Sequence, residues 1–361
     1  MLYEPLTLRC GVTLPNRLAL APMTNQQSQP DGLLGEAELA WLARRADGGF
    51  GLIETCAAYV GLDGKAWPGE LGVDRDEDLP GLARIATRMH AAGATAMVQL
   101  FHGGMRATQK LTGEQVWSAS TWHEDTPDFE TPRAATEADL RRVIEQFAAA
   151  AVRCEKAGFD GIELHGAHGY LLCQFLSATM NPRTDGWGGD AVGRARLIRE
   201  VTRAVRARVG TTFAVGARLS LEDWGNAKGL DLDESLQVCA WLAEDGADFI
   251  HASLWNAQRN TKKRPEAHPL VLARAAIPKD VALVTAGSIW TRAEAEAAMT
   301  LGADVIALGR AGILNPDWPR LAKDPAWEPR RPPISRAELI ATSVSPEFAG
   351  YLTRWKNFVA D

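Results

Sequence analysis

Two histidines and a tyrosine stand close together at His165, His168 and Tyr170, directly after a short apolar run at 161–164. Imidazole and phenol groups donate hydrogen bonds and transfer protons. The apolar run predicts a buried strand, and barrel enzymes keep their chemistry at the ends of such strands. The turn-rich segment 181–190 predicts a loop beside these side chains. We therefore expect a functional site at this strand end.

The same residues are compatible with other roles. His165 and His168 could be zinc ligands, but no third ligand has a suitable spacing, and we expect Glu163 to point to the opposite face of the strand. Tyr170 taken alone is typical of core packing, whereas its spacing from the histidines favours a site. We therefore expect no bound metal.

Composition excludes several classes of function. The chain has 361 residues, 46% of them hydrophobic, and can bury a large core. Its net charge is −6, from 39 basic and 45 acidic residues, which does not favour nucleic-acid or anionic-membrane partners. The five cysteines are too scattered for a zinc or iron–sulfur site. There is no signal-peptide pattern and no apolar run near the roughly 20 residues that span a bilayer. We expect a cytoplasmic protein.

A repeated unit organises the chain. Helical patterns end in small-residue turns, and each turn precedes a short apolar strand. The turns lie at 92–94, 157–160, 245–248 and 301–304. Strands are predicted at 18–21, 51–55, 96–100, 161–164, 213–219, 249–252, 281–286 and 305–308. Helices are predicted at 36–45, 82–92, 136–157, 193–208, 232–244, 269–276, 292–301 and 316–322, with a capping pair at Thr136 and Asp139.

Eight alternating strands and helices predict an α/β fold, a (β/α)₈ TIM barrel. A doubly wound sheet would call for a Gly-x-Gly-x-x-Gly motif after an early strand, and none is present. We expect a single domain over 1–361, with 325–361 as a C-terminal tail. The segment 101–132 is predicted as an extended loop after strand 3 that could form a lid over the site.

Polar residues collect at the predicted strand ends. Gln99 and His102 end the third strand, and Arg218 is a lone cation in the apolar fifth strand. Arg218 could be a structural residue paired with Glu222 or Asp223, but an isolated strand cation is more often functional, because its burial needs a partner. The last two strands end at Gly287 and at Gly309-Arg310. These glycines resemble the phosphate site that barrels build there.

These residues, in this order, resemble the Old Yellow Enzyme family of flavin-dependent ene-reductases. The resemblance runs from 6–24 through the barrel to 309–317. Its most specific parts are His-x-x-His-Gly-Tyr and the segment Asn-x-Arg-Thr-Asp-x-x-Gly-Gly after it. It implies a non-covalently bound FMN, with NADPH or NADH as reductant, and an electron-poor alkene such as an enone, maleimide or nitroalkene as substrate.

The resemblance also implies a role for each site residue. His165 and His168 match the pair that donates hydrogen bonds to the substrate oxygen, and Tyr170 matches the donor of a proton to the α carbon. Arg218 matches the cation beside the flavin, and Gln99 the contact to its pyrimidine edge. Gly287, Gly309 and Arg310 match the phosphate site. The residues that match the lining of the ring are Ala21, Pro22, Met23, Thr24 and Ala57.

Departures and rivals define the limits of the resemblance. One branch of the family has Cys at the Thr24 position and another has Asn at the His168 position. The segment 351–355 resembles a tail that in some relatives places an Arg in a neighbouring subunit's site, which makes Arg354 and a homo-oligomer candidates. There are three rival functions. The first is a dienoyl-thioester or amine-oxidising relative, and such relatives carry an iron–sulfur cysteine cluster and further domains. The others are a metal-dependent barrel hydrolase and a flavin-binding sensor or storage protein.

Overall fold

Eight parallel strands form a closed barrel in the computed structural model, which describes residues 1–360. Each strand pairs with the next in sequence, and the eighth pairs with the first. The predicted TIM barrel is therefore confirmed. The barrel strands are Leu18–Leu20, Leu52–Tyr59, Thr95–Phe101, Gly161–Gly166, Ala214–Leu219, Phe249–Ser253, Ala282–Ala286 and Val305–Leu308.

Helices surround the barrel. The seven helices that follow the predicted pattern are Glu36–Asp47, Leu79–Ala91, Glu137–Lys156, Ala191–Arg206, Leu232–Glu244, Pro269–Ala276 and Arg292–Thr300. Short helices lie at Gln109–Thr112, Leu171–Leu176, Arg310–Leu314 and Trp318–Leu321, and the tail adds Arg336–Ala341 and Pro346–Leu352. The predicted Thr136–Asp139 capping box is present. Within residues 1–360, no helix is both long and apolar enough to cross a membrane.

The predicted helix at 316–322 is the clearest difference from the sequence pattern. The structure has two short helices here, Arg310–Leu314 and Trp318–Leu321, with Asn315 between them in a non-helical conformation. Asn315 precedes Pro316, and a residue before proline is pushed away from helical geometry. The loop after the third strand also contains a short strand pair, Trp117–Ser118 with Arg133–Ala134.

The repeated turns have a structural purpose at the amino-terminal end of the barrel. Asp160, Asp248 and Asp304 each precede a strand, and each carboxylate accepts the backbone N–H of the second residue of a neighbouring strand, at 2.8, 2.8 and 2.9 Å. The donors are Ala96, Val215 and Leu283, respectively. Each aspartate also contacts a basic side chain of the surrounding layer. This end of a barrel supports stability.

Replacing the buried Asp248 should destabilise the fold without abolishing activity. Its carboxylate accepts from Val215 N–H and contacts Arg206 and Arg9 at 3.0 and 3.3 Å. We expect Asp248→Ala to lower the free energy of unfolding by about 2–4 kcal/mol, because a buried donor and two cations lose their acceptor. Urea unfolding measures this loss.

The matched control is Asp280→Ala. Asp280 also faces Arg9, but at 4.0 Å and with its side chain 65% exposed. Such a surface pair is worth about 0–1 kcal/mol. Equal losses in the two variants would contradict the role given to Asp248.

Candidate active site

One cavity of about 350 Å³ opens at the carboxyl ends of the barrel strands. The thirteen residues that the resemblance places around the flavin and the substrate all line it, although they come from seven different strand ends. Those residues are Ala21, Pro22, Met23, Thr24, Ala57, Gln99, His165, His168, Tyr170, Arg218, Gly287, Gly309 and Arg310. The structure thus brings the predicted set together at one place, which is where barrel enzymes carry their chemistry.

His165 presents one N–H group to this cavity. The backbone N–H of Ala167 donates to His165 Nδ1 at 3.3 Å, so Nδ1 carries no proton. Burial, and then the positive charge of Arg218, lowers the pKa of His165 to about 3. The ring is therefore neutral near pH 7, with its one proton on Nε2. A neutral imidazole of this tautomer donates a hydrogen bond and does not act as an acid.

His168 is held in a conformation that few non-glycine residues adopt. Its φ is 60°, in the left-handed region, and its backbone N–H donates to Ser220 Oγ at 3.1 Å. The ring Nε2 lies 2.7 Å from Ser253 Oγ. Gly169 follows with φ of 77°, and a Cβ there would lie 2.3 Å from the Asn226 carbonyl oxygen. This strained turn fixes the His168 ring 5.0 Å from that of His165.

Tyr170 completes the cluster on the same side of the cavity. Its ring lies edge-on to Phe101 at 4.6 Å and to His165 at 5.0 Å between centroids. The hydroxyl has no hydrogen-bond partner among residues 1–360. Burial raises the pKa of Tyr170 above its ordinary value of 10. The phenol therefore keeps its proton throughout the physiological range.

A buried charge network lies beneath these residues, inside the barrel. Glu163 accepts hydrogen bonds from Gln99 Nε2 and His251 Nδ1, each at 2.6 Å. Arg218 is buried, donates only to the Pro22 carbonyl oxygen at 3.3 Å, and leaves its Nε without a partner. Burial opposes ionisation of Glu163, but His251 and Arg218 more than offset it and lower its pKa. Glu163 is therefore the anion that faces the Arg218 cation.

The orientation expected for Glu163 was wrong. Glu163 and His165 are two residues apart, and residues i and i+2 of a strand share a face. Both side chains therefore point inward. Glu54 lies in the same place, with both carboxylate oxygens buried and unpartnered, and burial followed by the charge of Glu163 raises its pKa well above the ordinary value.

Glu54, Glu163 and His251 also have ligand atoms within 4.8 Å of one another, the spacing of a metal site. Both oxygens of Glu163 already accept hydrogen bonds, and the Arg218 cation lies beside them. Protons and one fixed cation therefore balance these carboxylates. This set does not include His165 or His168, so the two histidines do not form a ligand group with it.

The alternative partners considered for Arg218 lie elsewhere. Glu222 accepts the backbone N–H groups of Lys262 and Lys263, each at 3.0 Å. Asp223 accepts those of Gly229 and Leu230. A structural ion pair of Arg218 with Glu222 or Asp223 is therefore wrong, and the guanidinium is free to face the cavity.

The far end of the cavity carries a cation without a carboxylate. Arg310 Nη2 donates to Ser288 Oγ at 2.6 Å, and no Asp or Glu of residues 1–360 lies within ion-pair distance of it. Gly287 begins the turn beside it, where a Cβ would lie 2.5 Å from the Leu254 carbonyl oxygen. Unpaired cations beside glycine turns are typical of phosphate sites.

Several lining residues were missed by sequence analysis. The C-terminal tail lines the cavity of its own chain with aromatic side chains, and Tyr351 shares this lining with Thr24. Arg354 does not line the cavity but lies over the Tyr351 ring at 5.4 Å. No residue of the loop 101–132 lines the cavity, and its role as a lid stays a prediction. The missed lining residues include Trp67, Ser253, Trp255, Trp290, Phe348, Tyr351 and Trp355.

Comparison with known proteins identifies the family. The sequence model of the NADH:flavin oxidoreductase / NADH oxidase family matches residues 1–326. This chain belongs to that family. A probable NADH-dependent flavin oxidoreductase of Bacillus subtilis strain 168, YqiG, is 36% identical over 326 residues, which are 88% of this chain and 86% of YqiG. An NADPH dehydrogenase of Halalkalibacterium halodurans is 34% identical over 315 residues, 86% of this chain and 91% of its own length.

A solved structure agrees with this assignment. The old yellow enzyme homologue from Zymomonas mobilis superposes with a TM-score of 0.83 at 26% identity, covering 97% of this chain and 99% of that one. The resemblance to the Old Yellow Enzyme family is confirmed. The protein is an NAD(P)H-dependent flavin oxidoreductase, and FMN is the cofactor of its family.

We propose that Arg310 binds the FMN phosphate. Arg310→Ala should raise the Kd for FMN by roughly 10- to 100-fold, because a hydrogen bond to a charged group is worth about 1.5–3 kcal/mol. Flavin fluorescence quenching on titration of the apoprotein measures the Kd. Riboflavin, which lacks the phosphate, should bind both proteins alike.

Arg331→Ala is the matched control. The Arg331 guanidinium packs on the same Trp290 ring, at 5.2 Å, as Arg310 does at 5.9 Å, but Arg331 does not line the cavity. Equal weakening of FMN binding in both variants, or a matching loss for riboflavin, would refute the assignment of Arg310.

Proposed function

We propose that this enzyme is an ene-reductase that uses NAD(P)H to reduce C=C bonds conjugated to a carbonyl or nitro group. The observation that carries the proposal is the pairing of a neutral His165 Nε2–H donor with a protonated Tyr170 in one cavity. One group polarises an oxygen, and the other supplies a proton. Reduction of an activated alkene needs both.

The cavity fits FMN on the evidence of its own residues. Arg218 has a buried Nε without a protein partner. Gln99 donates to Glu163, the carboxylate that faces Arg218. Ala21, Pro22 and Ala57 supply small, apolar surfaces that suit a planar ring. Bound in this cavity, FMN would supply the hydride chemistry that links NAD(P)H oxidation to alkene reduction. Arg218 stabilises the negative charge that reduction brings.

His165 and His168 hold the substrate oxygen. The Nε2–H of His165 points into the cavity, and the His168 ring is fixed 5.0 Å away by Ser253 and its strained backbone. A hydrogen bond to the oxygen draws electron density from the alkene and makes its β carbon electrophilic. Because both rings have lowered pKa values, they polarise the substrate without taking part in proton transfer.

Tyr170 is then the acid that protonates the α carbon. Its raised pKa keeps the proton in place until the substrate accumulates negative charge. His165 becomes protonated only near pH 3, and Tyr170 loses its proton only above pH 10. Neither group changes its protonation state between about pH 5 and 9.

Two half-reactions test the proposal. Under anaerobic conditions NADPH or NADH should bleach the flavin of the purified enzyme, and 2-cyclohexenone or a maleimide should restore its colour. We expect Tyr170→Phe to slow reoxidation by cyclohexenone at least about 100-fold, the usual value of a general acid, and to leave reduction within about twofold. Reoxidation by the native enzyme should be independent of pH from about 5 to 9.

Tyr59→Phe controls for the loss of a phenol. The Tyr59 hydroxyl donates to the Asp31 carbonyl oxygen at 3.1 Å and does not line the cavity, so both half-reactions should keep their rates. The proposal fails if no activated alkene reoxidises the reduced enzyme, or if Tyr170→Phe reoxidises as fast as the native protein.

A further inference from the structure

Two exposed tryptophans lie beside the active-site cavity: Trp255 lines it, and Trp224 packs against Trp255. Trp224 and Trp255 stack with their rings 7° from parallel and their centroids 5.8 Å apart. Trp255 is 60% exposed and Trp224 is 37% exposed. Large aromatic surfaces are usually buried, and those left open beside a cavity mark a binding surface. We call this pair the tryptophan shelf.

A second cavity of about 160 Å³ lies against the tryptophan shelf. It shares Ser253, Leu254 and Trp255 with the active-site cavity, so one continuous wall runs from the first space into the second. Ser253 is also the hydroxyl that contacts His168 Nε2. A ligand with one end beside His168 can therefore extend along this wall into the second cavity.

The second cavity has two cations at its edge. The Arg259 guanidinium has no hydrogen-bond or ion-pair partner among residues 1–360, and it lines the cavity. Lys262 Nζ lies 4.1 Å from the centre of the Trp224 ring and donates to the Asp223 carbonyl oxygen at 2.6 Å. The nearby carboxylates of Glu222 and Asp223 are engaged by backbone N–H groups. Glu222 also lines the cavity and remains an anion, so Arg259 and Lys262 together give this edge a net positive charge, and the Arg259 guanidinium is left unpaired.

We propose that the second cavity binds the adenosine half of NADPH, with the adenine on the tryptophan shelf and the 2′-phosphate at Arg259 and Lys262. The inference rests on the proposed function, since it takes the nicotinamide to occupy the active-site cavity. A planar base favours an indole face, and a phosphate dianion favours an unpaired guanidinium. NADH lacks the 2′-phosphate, so these two cations select NADPH over NADH.

The FMN-loaded enzyme tests this with a readout independent of turnover. Calorimetric titration should show binding of adenosine 2′,5′-bisphosphate that is much tighter than that of adenosine 5′-monophosphate. In the double variant Arg259→Ala/Lys262→Ala this difference should disappear. The Kd for NADPH from anaerobic flavin reduction should rise on the order of 30-fold, while that for NADH changes less than threefold. Trp255→Ala should weaken the binding of NADPH and of NADH by the same factor, because both carry adenine.

Lys263→Ala is the matched control. Lys263 lies beside Lys262 in sequence, but its ammonium pairs with Asp231 and Asp233 and does not line the cavity. The Lys263→Ala variant should therefore bind NADPH and NADH with the affinities of the native enzyme. A native enzyme that prefers NADH, or a double variant with an unchanged NADPH-to-NADH ratio, overturns the inference. A different result would contradict the proposed function itself: no activated alkene would reoxidise the reduced native enzyme.

Discussion

The site depends on a guanidinium buried inside the barrel. Arg218 makes one hydrogen bond, to Pro22, and an unbalanced charge in this position would cost several kcal/mol. Glu163 supplies the balancing anion and is itself held by Gln99 and His251 at 2.6 Å. These four side chains lie on four adjacent strands. The network therefore fixes the positions of the groups that line the cavity.

The positive charge of Arg218 also influences the protonation states of the residues that line the cavity. Arg218 opposes a second positive charge nearby and, after burial, is the main cause of the lowered pKa of both His165 and His168. The histidines are thereby restricted to hydrogen bonding. Burial keeps the proton on Tyr170, which makes the phenol the acid of the proposed reaction. In the proposed reaction, the Arg218 cation therefore acts on both the flavin and the substrate.

The barrel and the lining of the site were predictable because strand ends can be read one at a time. His251 was missed and Glu163 was assigned to the wrong face, although each is a polar residue in an apolar strand, the signal that identified Arg218. Which of them touch depends on register across strands, and a single sequence does not show register. The tail helices and the tryptophan shelf depend on long-range packing, such as the contact of Phe348 with Trp41, and have no local signal.

The two-electron midpoint potential of bound FMN tests this account most directly. Reduction adds negative charge beside Arg218, so Arg218→Met should make the potential more negative. Glu163→Gln removes the opposing anion and should make it more positive. Glu54→Gln should leave it nearly unchanged, because the raised pKa of Glu54 already keeps that side chain neutral. Shifts of the same sign for Arg218→Met and Glu163→Gln, or no shift in either, would contradict the central role of this charge pair.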